Sequence, residues 1–246
     1  MGLVGWIDDH FYSGMKETWN DENFRRRVLD HLTPDTRLLD LGAGAGIIPQ
    51  MNFRGLAKSV TGLDPTERVK ENPFLDESVV GFGESLPFPD CSFDIVISDN
   101  VLEHLEHPVR VFAEVRRVLA PGGVFLAKTP NRRHYMPFIA RLTPHRFHRW
   151  YLRLLGVAGE DVFVTRYRVN TRRDLTRVAA QADLKLTHLE YLEGRPEYLR
   201  TTAATYFFGM LWERLVNAIP AMKSFRILLI VTLMKPASPP AAGEST

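Results

Sequence analysis

Short apolar runs alternate with stretches of helical spacing over the first half of the chain. Arg37-Leu38-Leu39-Asp40-Leu41 is an apolar run that stops at Gly42-Ala43-Gly44-Ala45-Gly46, which predicts a strand entering a glycine-rich turn. Ser59–Asp64 predicts a second strand, ending in an acid, and Ser78–Phe82 a third. Phe93–Ser98 is a fourth run, and Val124–Lys128 a fifth. Between them, Val109 to Leu119 places apolar residues at 109, 111, 112, 115, 118 and 119, the stripe of an amphipathic helix. Pro121-Gly122-Gly123 ends it. Upstream, Phe24, Val28, Leu29 and Leu32 have helical spacing up to Pro34.

Strands and helices alternating at this interval predict a parallel sheet covered on both faces. Such sheets bind ligands at the carboxyl ends of their strands, where the glycine turn, Asp64 and the residues after Ser98 all fall. Beyond Lys128 the pattern changes. Residues 131–170 carry little strand signal. Thr171 to Ala182 reads as a helix capped by Thr171, with Asp174 three residues on. Leu184 to Leu192 alternates as a strand, Tyr198 to Ile219 is helical until Pro220, and Phe225 to Leu233 is a final strand. A tail of Pro, Ala and Ser from 236 to 246 predicts disorder.

Three features suggest chemistry. Gly42, Gly44 and Gly46 would let a ligand approach the backbone closely, with the free N–H groups of a following helix beyond. The spacing is one residue short of the dinucleotide pattern. Asp40, inside the strand, could organise a ligand's ammonium group. Asp64 ends the second strand, and its two oxygens could accept both hydroxyls of a ribose.

These residues resemble the class I S-adenosylmethionine-dependent methyltransferases of the small-molecule branch, of the methyltransferase type 11 kind. Leu38 to Gly46 is similar to their first motif. Gly83-Glu84-Ser85-Leu86-Pro87-Phe88, running on to Phe93-Asp94, Val101-Leu102-Glu103-His104-Leu105, and Leu119-Ala120-Pro121-Gly122-Gly123 follow in the expected order. The resemblance covers about residues 36–130. It implies an α/β, Rossmann-like seven-stranded sheet, mostly parallel with an antiparallel last strand, with helices on both faces and cap insertions. It divides the chain into a helical segment 1–35, a methyltransferase domain 36–235 with substrate-side insertions at 131–170 and 193–224, and the tail. It implies S-adenosylmethionine as cofactor, with Gly42, Gly44 and Gly46 lining the methionine portion above Asp40, and Asp64 on the ribose. Phe82, Gly83 and Glu84 would meet the adenine, and Asn100 would lie near the methionine end. The family often has an aspartate where Phe82 stands, so either Phe82 stacks on the base or Glu84 accepts in its place.

A base helps when the methyl acceptor is a hydroxyl. His104, His107, His134, His145 and His148 are the candidates, and His104 stands out beside Glu103 just past the fourth strand. Glu103 and His104 also permit a metal reading. Asn100 stands where that pattern has a glutamate, so the expectation is no metal.

Charge adds one distinction. The formal net charge is +2, which disfavours a general nucleic-acid binder. Yet residues 131–177 hold eleven arginines against Glu160, Asp161 and Asp174, a balance of +8, which leaves −6 for the rest. Arginine forks bind carboxylates and phosphates. The expected partner is therefore a small-molecule acceptor, hydrophobic, anionic or lipid-linked: a metabolite, a lipid-linked sugar or a quinone precursor methylated at a hydroxyl oxygen. An RNA methyltransferase using 131–177 and a non-catalytic interaction module are the alternatives. A single cysteine, Cys91, allows no internal disulfide. With no basic region ahead of its first apolar residues and no run long enough to span a bilayer, the chain is expected to be cytoplasmic, with a peripheral contact at the inner membrane surface left open.

Overall fold

The computed structural model describes residues 2–15, 18–137 and 164–237. Seven strands form one sheet: β1 (Arg37–Leu41), β2 (Ser59–Asp64), β3 (Glu77–Val80), β4 (Phe93–Asp99), β5 (Leu119–Pro130), β6 (Lys185–Leu192) and β7 (Leu228–Met234). Their order is β3-β2-β1-β4-β5-β7-β6. Pairings from β3 across to β5 are parallel, whereas β7 runs antiparallel to both β5 and β6. Helices among the described residues are α1 (Leu3–Phe11), α2 (Trp19–Leu29), α3 (Pro108–Val118), α4 (Arg172–Gln181) and α5 (Ala203–Ala218).

The apolar strand runs lack strict alternation because both faces are covered. Leu39, Leu41, Val96, Phe125, Val231 and Leu233 point to one side, where α3 and α4 bury Val111, Phe112, Val115, Leu175 and Val178. Leu38, Val60, Ile95, Ile97, Leu126 and Ile230 point to the other, under Phe24 and Val28 of α2 and under Met51, Phe53, Val69 and Leu75. Each such side chain contributes about 1.5–3 kcal/mol when fully buried, so the stripe of α3 alone is enough to dock it. Thr171 caps α4 as its position predicts, its hydroxyl accepting from the Asp174 N–H at 3.2 Å.

Several boundaries differ from the sequence pattern. No α-helix follows the glycine turn; the chain makes only a 3-10 turn at Pro49–Met51. Pro49 lacks a donor and Gly55 takes φ +78°, so the twelve residues before β2 break up rather than wind. Strand β5 starts directly at Leu119, and Pro121-Gly122-Gly123 forms a shift in its register with β4 instead of a break. The helix expected from Tyr198 begins at Ala203, behind a Thr202–Thr205 capping box. The N-terminal residues form two helices where the pattern predicts one. Tyr12 of this region stacks on Tyr206 of α5 and donates to Glu213 at 3.2 Å, while Asp8 of α1 pairs with Arg200 at 2.6 Å.

Candidate functional site

A cavity of about 380 Å³ opens at the carboxyl edge of β1, β2 and β4. Its floor is the glycine turn, with Gly42, Gly44 and Gly46 at φ +84°, +51° and +70°. The three glycines have different reasons for lacking a side chain. A Cβ on Gly42 would fall 2.2 Å from Val101 Cγ2, and one on Gly46 would fall 2.3 Å from Asn72 Oδ1. A Cβ on Gly44 would meet nothing within 4 Å, so only backbone conformation and whatever occupies the cavity argue against it. Asn72 ties the turn down, its amide donating to the carbonyls of Ala43 at 3.0 Å and Gly44 at 3.3 Å.

Asp64 forms part of the wall. One of its oxygens accepts from the Thr66 N–H and hydroxyl at 2.9 and 2.7 Å, and the other accepts from the Gly44 N–H at 3.1 Å. Of about four acceptor positions on a carboxylate, three are taken, so Asp64 can take one further donor as it stands. A second requires the Thr66 hydroxyl to turn away.

Three acids, Asp40, Asp64 and Asp99, line the cavity, with Arg68 also on its wall. Burial, reinforced by the charges of Asp99 and Asp64, pushes the Asp40 carboxyl up to about 8. Asp99 is also raised by burial, against the pull of Lys128. Lys128 is fully buried and lies 3.0 Å from Asp99, with Asn20 at 2.6 Å and Asp21 of α2 also in contact. Asp99 Oδ1 is thus paired with a buried cation, and Oδ2 is buried with no hydrogen-bond partner among the described residues. Buried carboxylate oxygens in this condition favour a cationic ligand.

At the far rim of the cavity stand Asn100, Val101 and His104. Asn100 takes φ +53°, and its N–H donates to the Lys128 carbonyl at 2.9 Å. His104 Nδ1 lies 3.3 Å from the Val164 carbonyl, and Nε2 lies 3.9 Å from Glu103 Oε1. Burial holds the imidazole below its ordinary value, so it is neutral at pH 7. Glu103 is buried, accepts from the Thr129 hydroxyl at 3.0 Å, and is pushed by burial up to about 7. No three His, Cys, Asp or Glu side chains among the described residues could hold a metal ion.

The other sequence candidates lie elsewhere. Phe82, Gly83 and Glu84 do not line the cavity. They sit on the loop after β3, where Gly83 packs toward Val111 and Leu41, and Phe82 is 67% exposed. His107 precedes α3 and its carbonyl accepts from Val111. His134 is buried and held down to about 3. His145 and His148, with most of the basic segment, fall outside the described residues. Sequence reasoning missed Asp99, Lys128, Thr66 and Asn72. Only Lys128 left a signal, as a charge inside the run Val124-Phe125-Leu126-Ala127-Lys128.

Residues 39–127 match the family model described as a methyltransferase domain. A "probable S-adenosylmethionine-dependent methyltransferase" of Mycolicibacterium smegmatis is 36% identical over 146 residues, 54% of this chain and 55% of that protein. A ubiquinone biosynthesis O-methyltransferase of Thiobacillus denitrificans is 27% identical over 143 residues, 49% of this chain and 61% of that one. The chain thus spans about half the length of these curated relatives. The crystal structure of an S-adenosylmethionine-dependent methyltransferase of Mesorhizobium loti superposes with a TM-score of 0.58 at 19% identity, over 89% of this chain and 98% of the other. The glycine turn, Asp40, Asp64, Asp99 and strands β2, β3 and β4 all lie in the matched segment, and residues 39–127 belong to a methyltransferase domain of the class I S-adenosylmethionine-dependent kind.

Proposed function

We propose that the chain transfers a methyl group from S-adenosylmethionine to a small-molecule acceptor, at a hydroxyl oxygen of a hydrophobic or anionic metabolite such as a lipid-linked sugar or a quinone precursor. The observation that carries the reading is the acid-lined cavity over the glycine turn, since the cofactor carries a sulfonium and an ammonium. Its residues fit that group. Gly44 opens onto free space, Asp64 keeps an acceptor position, and Asp99 Oδ2 is buried with no hydrogen-bond partner among the described residues.

When bound, S-adenosylmethionine supplies a methyl group already activated for displacement. The rest of the work is positioning. Gly42, Gly44, Gly46 and Asp40 would hold the methionine portion, and Asp64 the ribose. His104 would act on the acceptor. With Nδ1–H donating to the Val164 carbonyl, the neutral ring keeps its lone pair on Nε2. That nitrogen can take the hydroxyl proton, and the Glu103 carboxylate at 3.9 Å would stabilise the imidazolium that results. The name of the Thiobacillus relative supports an oxygen acceptor.

Isothermal titration tests the site: the wild type binds S-adenosylmethionine and Asp64→Ala loses the binding. Undiminished binding in that variant would overturn the assignment. Transfer of a labelled methyl group into a fractionated cell extract then identifies the acceptor. His104→Gln should lose turnover while keeping cofactor affinity.

A further inference from the structure

A second cleft, of about 620 Å³, lies at the same edge of the sheet and is lined by Arg133, Arg172, Arg173, Arg177 and Lys223 with no carboxylate among its lining residues. Thr176, Ser224 and Tyr191 complete the lining. The five cations come from three separate pieces of chain: the segment after β5, the first half of α4, and the 3-10 turn Pro220–Phe225 that leads into β7. Arg177 is shared with Asp174 at 3.7 Å, and Arg133 lies over the Phe225 ring at 4.6 Å. Arg133, Arg172, Arg173 and Lys223 have no carboxylate partner among the described residues. Several arginines elsewhere are paired with acids, Arg37 with Asp94, Arg54 with Asp76, Arg116 with Asp183 and Arg117 with Glu114, while others such as Arg25 and Arg168 donate to backbone carbonyls.

Fold stability does not account for this arrangement. Arg172 and Arg173 occupy the first turn of α4, where the helix dipole disfavours cations and free N–H groups already point outward. Asp174 of the same turn is shared between Arg132 at 3.3 Å and Arg177 at 3.7 Å, so it offsets only part of the positive charge gathered at that end. Guanidinium forks, an ammonium, three hydroxyls and a helix N-terminus form a donor set suited to phosphate oxygens. The cleft is larger than one phosphate needs.

We propose that this cleft binds a phosphate-bearing group, the anionic handle of the acceptor. The cleft stands over β5, β7 and β6, and β7 is two strand spacings, about 10 Å, from β4 at the cofactor cavity. A molecule held by its phosphate here must extend at least that far to bring its other end to the cavity. The binding of the anion stands on the cleft alone, whereas its role as an acceptor handle rests on the methyl-transfer reading above.

The test uses the full chain and three probes: inorganic pyrophosphate, vesicles of phosphatidylcholine, and vesicles containing an anionic phospholipid. The variants are Arg172→Glu/Arg173→Glu on α4 and Lys223→Glu on the separate turn. Pyrophosphate should bind the wild type at 0.15 M salt, weaken at least tenfold in both variants, and fall away steeply with added salt. Binding to anionic vesicles but not to pyrophosphate, lost in the same variants, equally supports the cleft and makes a lipid headgroup the source. The acidic α4 variant should melt no lower than the wild type, because it relieves the dipole conflict; lost binding therefore does not report unfolding. No binding of either anionic probe, or binding unchanged in both variants, overturns the proposal. Titration of S-adenosylmethionine into the same proteins is independent of the cleft, so its failure would count against the methyl-transfer reading alone.

Discussion

Asp40 should release a proton when a cationic ligand enters the cavity. Its carboxyl is pushed up to about 8 by burial and by Asp99 and Asp64, so about nine in ten molecules carry the proton at pH 7. An opposite charge within a few ångströms lowers a carboxyl by about 1–3 pH units. Taking about two, the bound value falls near 6, and binding at pH 7 expels roughly 0.8 proton. The same two values make cofactor affinity rise about 25-fold between pH 6 and pH 8 through this group alone. The assay is titration calorimetry of S-adenosylmethionine in buffers of different ionisation enthalpy, for the wild type and for Asp40→Asn. The ligand's own amine titrates nearby, so the difference between the two proteins is the quantity of interest. The folded protein holds a proton that the unfolded chain sheds above pH 4. Asp40 therefore weakens folding progressively as pH rises towards 8, and Asp40→Asn should flatten that loss. Equal proton release in both proteins would refute the argument.

Other perturbations follow from the same region. Lys128→Met leaves Asp21 and Asp99 without their buried cation, which costs about 3–5 kcal/mol and lowers Tm by about 10 °C; a fall under about 3 °C in scanning calorimetry contradicts the ion cluster's role. Gly42→Ala drives a methyl into Val101 and should lower Tm, whereas Gly44→Ala should cost only about 1–2 kcal/mol of backbone strain while sharply weakening cofactor binding. Similar Tm losses with intact binding in both would sink that distinction. Glu103 is raised to about 7, so the folded protein takes up a proton there and its stability falls as pH rises from about 4.5 to 7. Glu103→Gln should remove about 3 kcal/mol of that dependence, read from urea melts at pH 5 and pH 8.

The sheet was legible because its strands announce themselves as apolar runs ending in Gly, Asp or Asn. The glycine turn and Asp64 were legible for the same reason: residue type and position both have few alternatives there. The lack of a helix after the turn was not, since Pro49 and Gly55 divide a stretch whose apolar residues, Ile47, Ile48, Met51 and Phe53, are arranged by the sheet beneath them. α1 was missed because its contacts are with α5, some 200 residues away in sequence. Lys128 reads as the polar end of a strand, and nothing local shows that Asp21 and Asp99 will surround it. The cationic cleft was half visible. The arginine excess after residue 131 pointed to the region, but Lys223 joins it only through the packing of β7.

The place of β7 in the sheet also bears on how the protein is made. The strand last in sequence lies between β5 and β6, and both depend on it for their pairing. During synthesis the parallel half can assemble as it emerges, while the edge of β5 and the whole of β6 wait for Leu228–Met234. Until then two apolar strand edges are open to other chains. A ribosome pausing, or a protease cutting, just before Leu228 would leave a species with an intact cofactor cavity and a strong tendency to aggregate.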